Sequence, residues 1–540
     1  MQRRIRFVVA TVLVLVAAGC GSDPALTAVT TKGATLKAVT LDNVFTEAKP
    51  LRVAVDDTVD WVNQGKNHHD IVSDTPGAFG VDQSAFAPGD HYAHTFSKSG
   101  VYRYYCSLHG TSKGGMIGTI LVGNVAAPAE LASAVPTPTG RASGRTITVP
   151  GDQPTIQKAV DASGPGDLIL LSRGTYREAV IVPEQKSDIT IRGLDRNKTI
   201  LEGDFTRENG IKVIKAGGVV VENLTMQDYT KNGVFWTGVK GYRGSYLNAY
   251  RNGDYGIYGF QSTYGVLEHS YASGSPDAGF YIGGCYPCNS LINDVTSEWN
   301  GLGYSGTNSS GNLVIANSTF RYNRSGIVPN SGSYEPLAPE RENTIVGNLS
   351  YGNGNDRTPA IDIAVIANGF GIIIAGGSGN VIRHNRVIDN PYGGIVVFTY
   401  PEGGGYTWDA RNNTVTDNIV AGSTKGGDLG FFFNGPGKDA AGNCFANNTF
   451  GTSTPDKLEQ AAPCTGKGVG DFRSKPFDLL RMNDNTGRAK SVPYDKAKTP
   501  PIPPQPQMPA AATAAARPAP TTAPVFDVSA VTTPAAPAGL

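Results

Sequence analysis

Short apolar runs alternate with polar positions through most of this chain, and few stretches carry the three-to-four spacing of a long helix. From Ala34 to Val122 the runs LKAVTL, LRVAVDD, TVDWVNQ, HTFSKSGVYRYYC and MIGTILV recur between turn residues. Period-two runs punctuated by Gly, Pro, Asn and Asp read as the strands of a small β-sandwich. Residues 123–144 include AAPAELASAVPTPTG, a Pro/Ala/Ser composition that predicts a linker.

From Arg145 the pattern changes. One amphipathic turn around Thr155 to Asp161 predicts a short helix, and a glycine-marked repeat follows. KNGVFW, DYGIYG, DAGFYI, GLGYSG and RSGIVP align on Gly233, Gly256, Gly279, Gly303 and Gly326, separated by 23, 23, 24 and 23 residues. A constant period of this length is the mark of a solenoid. The residue after each glycine (Val234, Ile257, Phe280, Tyr304, Ile327) should point inward, and the next one (Phe235, Tyr258, Tyr281, Ser305) outward. A second column, Asn223, Tyr246, His269, Asn293 and Asn317, continues as Asn348, Asn385, Asn418 and Asn448 and reads as an amide ladder at a turn. His269 and His384 are expected to be structural parts of that column. These features over residues 145–453 resemble pectate-lyase-like right-handed parallel β-helices, in which a short helix caps the first coil. The whole solenoid unit is assigned to 145–475.

Beyond it, residues 476–540 contain TPPIPPQPQMPAAATAAARPAPTTAP and are expected to be irregular to disordered, because they offer little apolar surface to bury. The fold class is therefore all-β: sandwich, then solenoid, then tail.

Chemistry concentrates in the sandwich. Cys106, His109 and Met116 stand as C-x2-H-x6-M, and His69 lies upstream in WVNQGKNHHDIV. A thiolate, two imidazoles and a thioether together select copper for electron transfer, whereas the thioether offers little to zinc. The residues around Trp61–Val72 and Tyr102–Met116 resemble the plastocyanin/azurin family of cupredoxins. That resemblance implies one type 1 copper bound by His69, Cys106 and His109, with Met116 as the weak axial ligand. His69 fits the family's register and His68 does not; His91 and His94 occupy no ligand position.

The remaining cysteines divide by position into Cys285–Cys288 and Cys444–Cys464, pairs that need an oxidising compartment. Arg3, Arg4 and Arg6 precede an apolar run, Phe7–Ala18, too short to span a bilayer comfortably. It ends in Ala17-Ala18-Gly19-Cys20, which resembles a bacterial lipobox. The implied arrangement is a signal peptide over 1–20, lipidation at Cys20, a flexible segment over 21–33, and a lipid anchor on the outer face of a bacterial cell membrane. With 46 basic and 46 acidic residues, nothing in the charge favours nucleic acid.

On the solenoid, Lys231, Asp254, Asp277, Gly301 and Arg324 precede the glycines by two residues. Coils stack about 4.8 Å apart, so Asp254 and Asp277 should be adjacent carboxylates, flanked by Lys231 and Arg324, beside the outward rings Phe235, Tyr258 and Tyr281. Such a row of exposed rings beside paired carboxylates suits an extended polysaccharide: the rings as a platform, the carboxylates for acid/base work or calcium. Three functions follow. The first is an exported electron-transfer protein with an unidentified redox partner, whose solenoid binds an extracellular partner such as polysaccharide. The second is a lyase, epimerase or hydrolase, catalysed through Asp254 and Asp277, with an accessory copper domain. The third is copper handling. Whether His109 faces solvent or the solenoid is the feature that separates independent from joint chemistry.

Overall fold

The computed structural model describes residues 33–41, 45, 50–65, 68–112, 114–127, 144–403, 406–432, 442–469 and 491–537. The expected signal peptide, Cys20, residues 21–32 and most of the linker lie outside the described residues.

The N-terminal unit is a β-sandwich. One sheet joins Thr35–Thr40, Thr58–Asn63 and His91–Thr95; the other joins Leu51–Val53, Gly114–Val122, Gly100–Thr111, Ile71–Ser73 and Gly80–Val81. Trp61 lies at the centre of the core between the sheets, stacked on Phe79 at 5.7 Å and edge-on to Tyr104 at 5.4 Å. Cys106 and Met116 are buried in the same core.

The described residues between 144 and 469 form a solenoid with three parallel sheets of 12, 11 and 11 strands. Helix α1 (Ile156–Ala162) packs at its start, with Thr155 accepting a hydrogen bond from the Lys158 N–H at 3.2 Å. The outward and inward columns follow the expected alternation. Lys212, Phe235, Tyr258, Tyr281, Ser305 and Val328 are successive partners across coils. Val234, Ile257, Phe280, Tyr304 and Ile327 all fall in the interior core. Glycine recurs because the coils leave no room for a side chain: a Cβ on Gly233, Gly256 or Gly303 would stand 2.6 Å from the next coil's carbonyl oxygen.

The amide ladder differs from the sequence expectation by one residue in the early coils. Asn223, Tyr246, His269, Asp294, Asn317 and His384 hold left-handed backbone at the turn. The buried ladder is the next column: Asn348, Asn385, Asn418 and Asn448, linked Nδ2 to Oδ1 at 3.0, 3.0 and 2.9 Å. His269 therefore turns outward, stacking on Tyr246 and meeting Asp294 at 2.6 Å. Two further ladders serve the other turns: Asn323–Asn353–Asn390, and Asn380–Asn413–Asn443. Each satisfies buried amides that a solenoid turn cannot expose to water.

Two disulfides are present, Cys285–Cys288 and Cys444–Cys464. Cys106 is the free cysteine among the described residues and is buried.

Residues 491–537 are irregular, as expected, with one short 3-10 turn at Val528–Ala530, and they are held in place by the solenoid. They run along the solenoid with carbonyl oxygens aimed at its arginines. Arg192 donates to Ala511 and Ala514, Arg196 to Pro506, Arg383 to Val528 and Arg386 to Pro534. Val531 packs on Ala316 and Val346. Apolar content misses this segment because backbone carbonyls, which every residue carries, supply most of its contacts.

Candidate metal centre at a domain interface

The residues expected to bind copper converge because a β-ladder breaks. In the pairing of Gly100–Thr111 with Gly114–Val122, Tyr105 opposes Ile117 and Gly110 opposes Gly115. Cys106, Ser107, Leu108 and His109 thus bulge opposite the single residue Met116. This local excess of residues is what brings Cys106, His109 and Met116 together. Gly110 must be glycine, since a Cβ there would lie 2.6 Å from the Met116 carbonyl oxygen. The Asp70 carboxylate fastens the bulge, accepting from the Ser107 N–H at 2.6 Å and from the Ser107 hydroxyl.

His69 precedes the strand Ile71–Ser73, whose Val72 pairs with Tyr105, so the ladder carries it to the same point. Its Nδ1 stands 3.3 Å from Cys106 Sγ. His68 is exposed and bonds the Gln83 carbonyl. His91 and His94 lie elsewhere, paired with Asp60 and packed on Phe79 respectively. Donor atoms of His69, Cys106 and His109 lie within 4.8 Å of one another, and all three residues are buried. His109 Nδ1 is buried with no hydrogen-bond partner. A buried imidazole nitrogen without a partner, beside a thiol and a second imidazole, fits a soft metal ion. Burial, then the charges of His69, Lys231 and Lys212, hold the His109 imidazole well below the usual histidine range. It is therefore neutral and ready to donate a lone pair.

The other edge of His109 is turned to the solenoid. Its Nε2 stands 3.6 Å from Asp254 Oδ2, and the residue is 3% exposed. Around it, Lys212 donates to the Gly110 carbonyl at 2.5 Å and Lys231 donates to the Ser107 hydroxyl. Both lysines are buried. Burial, with the neighbouring Lys231, pulls the Lys212 ammonium down to about 8 against the opposing charges of Glu208, Cys106 and Asp70. Lys212 had no role in the sequence reading, and Lys231 entered it only as a charge in the column of Asp254 and Asp277. Lys212 precedes the glycine repeat and shows its column only once the coils are stacked.

Residues 36–123 match the family of copper binding proteins of the plastocyanin/azurin type, and residues 232–456 match the right handed beta helix region. The chain carries a cupredoxin domain followed by a right-handed β-helix. Among solved structures, the A-module of an Azotobacter vinelandii mannuronan C-5 epimerase is similar at 15% identity and TM-score 0.41, covering 57% of this chain and 93% of that one. A pectate lyase is similar at 14% identity and TM-score 0.33, covering 61% and 82%. A purple cupredoxin from Nitrosopumilus maritimus is similar at 25% identity and TM-score 0.14, covering 16% of this chain and 98% of that one.

On the β-helix, Asp254 and Asp277 are stacked as expected, with the Asp277 N–H donating to the Asp254 carbonyl at 3.2 Å. The glycan-platform expectation is corrected. Phe235, Tyr258 and Tyr281 point away from the coil interior, yet each is 0% exposed. Helix α2 (Asp362–Ile366) and its flanks pack Ala360, Ala364 and Ala367 into the same cluster. The loop carrying Glu335 closes over Tyr281, and Lys212, bonded to the cupredoxin, stands 5.4 Å from the Phe235 ring. The sequence shows which way a ring points from its coil, but not what is folded back over it. Arg324, expected to flank the carboxylates, instead donates to the carbonyls of Asp356 and Thr358.

Proposed function

We propose that the chain is an exported, lipid-anchored one-electron copper protein whose β-helix is a docked part of the redox unit. The observation that carries this reading is the burial of His109 against Asp254. His69, Cys106 and His109 would hold copper equatorially and Met116 axially. The metal would supply reversible one-electron chemistry, while the chain keeps water from the ligand edge.

Buried Phe235, Tyr258 and Tyr281 speak against an extended polysaccharide on this face while the domains are docked. Glycan chemistry through Asp254 and Asp277 would first require the cupredoxin to leave. Rapid copper delivery is likewise disfavoured, since an acceptor cannot reach His109 without the same separation.

Copper-loaded full-length protein should show intense thiolate-to-copper absorbance that Cys106→Ser and His69→Ala abolish and His68→Ala retains. A colourless protein that binds zinc in preference would overturn the reading.

A further inference from the structure

Next to the metal centre, four aromatic rings form a sealed stack. Phe235 lies on Tyr258 at 4.4 Å and 10° between planes, and Tyr255 lies on Tyr258 at 4.3 Å. Tyr281 meets Tyr258 edge-on at 4.9 Å. All four are buried. At one end stands Asp254, which contacts His109. At the other, the Tyr281 hydroxyl donates to both oxygens of the buried Glu335 carboxylate, at 2.5 and 2.6 Å.

We propose that Tyr281, through Tyr258, relays oxidising equivalents to the copper centre, with Glu335 as the proton acceptor; this rests on the copper reading above. The chemistry balances in two steps. A high-potential one-electron oxidant removes an electron from Tyr281 as its hydroxyl proton passes to the Glu335 carboxylate, leaving a neutral tyrosyl radical and a carboxylic acid. The radical then takes one electron from the cuprous site by way of Tyr258 and recovers the proton, restoring Tyr281 and the carboxylate and leaving cupric ion.

Three features of the stack favour this role. Electron tunnelling weakens steeply with distance, and the ring centroids within the stack lie 4.3 to 4.9 Å apart. The phenol stays neutral, because electron and proton leave it together, and the pair it forms with Glu335 passes from one negative charge to none, which matters in a site where a buried charge is costly. The phenol cannot shed its proton beforehand: burial, then Glu335 and Tyr258, hold the Tyr281 hydroxyl well above the usual tyrosine range. Tyr258 is held up likewise, by burial, then Glu335, Asp254, Asp277 and Cys106.

The test uses full-length protein loaded with copper(I) and oxidised by photogenerated tris(bipyridine)ruthenium(III). A transient tyrosyl signal, seen optically and by electron paramagnetic resonance, should decay as the thiolate–copper(II) band rises. Tyr281→Phe should remove the signal and slow the band at least tenfold. Glu335→Gln should slow it similarly, whereas Tyr304→Phe, on the inward side of the coil, should match wild type. Equal rates in wild type and Tyr281→Phe would overturn the relay. Thermal scans of each variant separate misfolding from lost transfer. If slow oxidation with ferricyanide produces no thiolate–copper band at all, the copper reading fails instead.

Discussion

Lys212 of the β-helix donates to the carbonyl of Gly110, the residue that follows His109 of the candidate metal centre. The bond joins the first ring-bearing column of the solenoid to the ligand loop of the cupredoxin. With Lys231 on Ser107 and Asp254 facing His109, three successive coils hold one four-residue bulge.

Lys212→Met should loosen this docking. It leaves a carbonyl without its charged donor at a buried interface, a loss of about 1–3 kcal/mol. Hydrogen exchange should rise in Gly100–Thr111 while the interior solenoid strands stay protected. Unchanged exchange in that strand would show that the lysine does not hold the domains together.

Asp254→Asn should raise the copper reduction potential, by on the order of 50–100 mV, because it removes a negative charge near a ligand and so disfavours the more highly charged cupric state. Voltammetry of the loaded protein reads this directly. A potential within error of wild type would mean that Asp254 is electrostatically silent at the metal.

How much of this arrangement could be read from the sequence depends on how local its causes are. The cluster of His69, Cys106 and His109 was legible because residue type and spacing carry its chemistry, and His69 separated from His68 by strand register. The inward and outward columns were legible because β-structure alternates with a fixed period of two. The docked interface was not. Lys212, Lys231 and Ser107 are ordinary polar residues whose significance comes from two domains meeting. Residues 491–537 are irregular as expected, but their attachment was not legible for a related reason: Arg192 and Arg196 bind plain backbone carbonyls, which carry no signal in the sequence.

Glu340 predicts a pH dependence. Its carboxyl is wholly buried, and that burial raises it to about 8 despite the opposing effects of Asn380, Asn343 and Arg341. Across roughly pH 4.5 to 8 the folded protein keeps a proton that the unfolded chain has released, so stability falls as pH rises, by up to a few kcal/mol from this group. Denaturation of Glu340→Gln, which keeps a neutral side chain of similar shape, should show a shallower decline over that window. An identical pH profile would remove Glu340 as its source.

The 23-residue coil has a consequence for how this protein can change over evolutionary time. Solenoids lengthen and shorten by whole repeats, and each repeat moves everything beyond it by one strand spacing, about 4.8 Å. Duplications beyond the coil of Ser325–Asn330 would lengthen the molecule and leave the copper contacts untouched. A duplication between Lys212 and Tyr281 would put Lys212, Lys231, Asp254 and Tyr281 out of phase with a ligand loop that has a single size. The number of coils in that short interval is therefore fixed by the cupredoxin, while the coils from Arg192 to Arg386 answer to the length of the tail that bonds both ends.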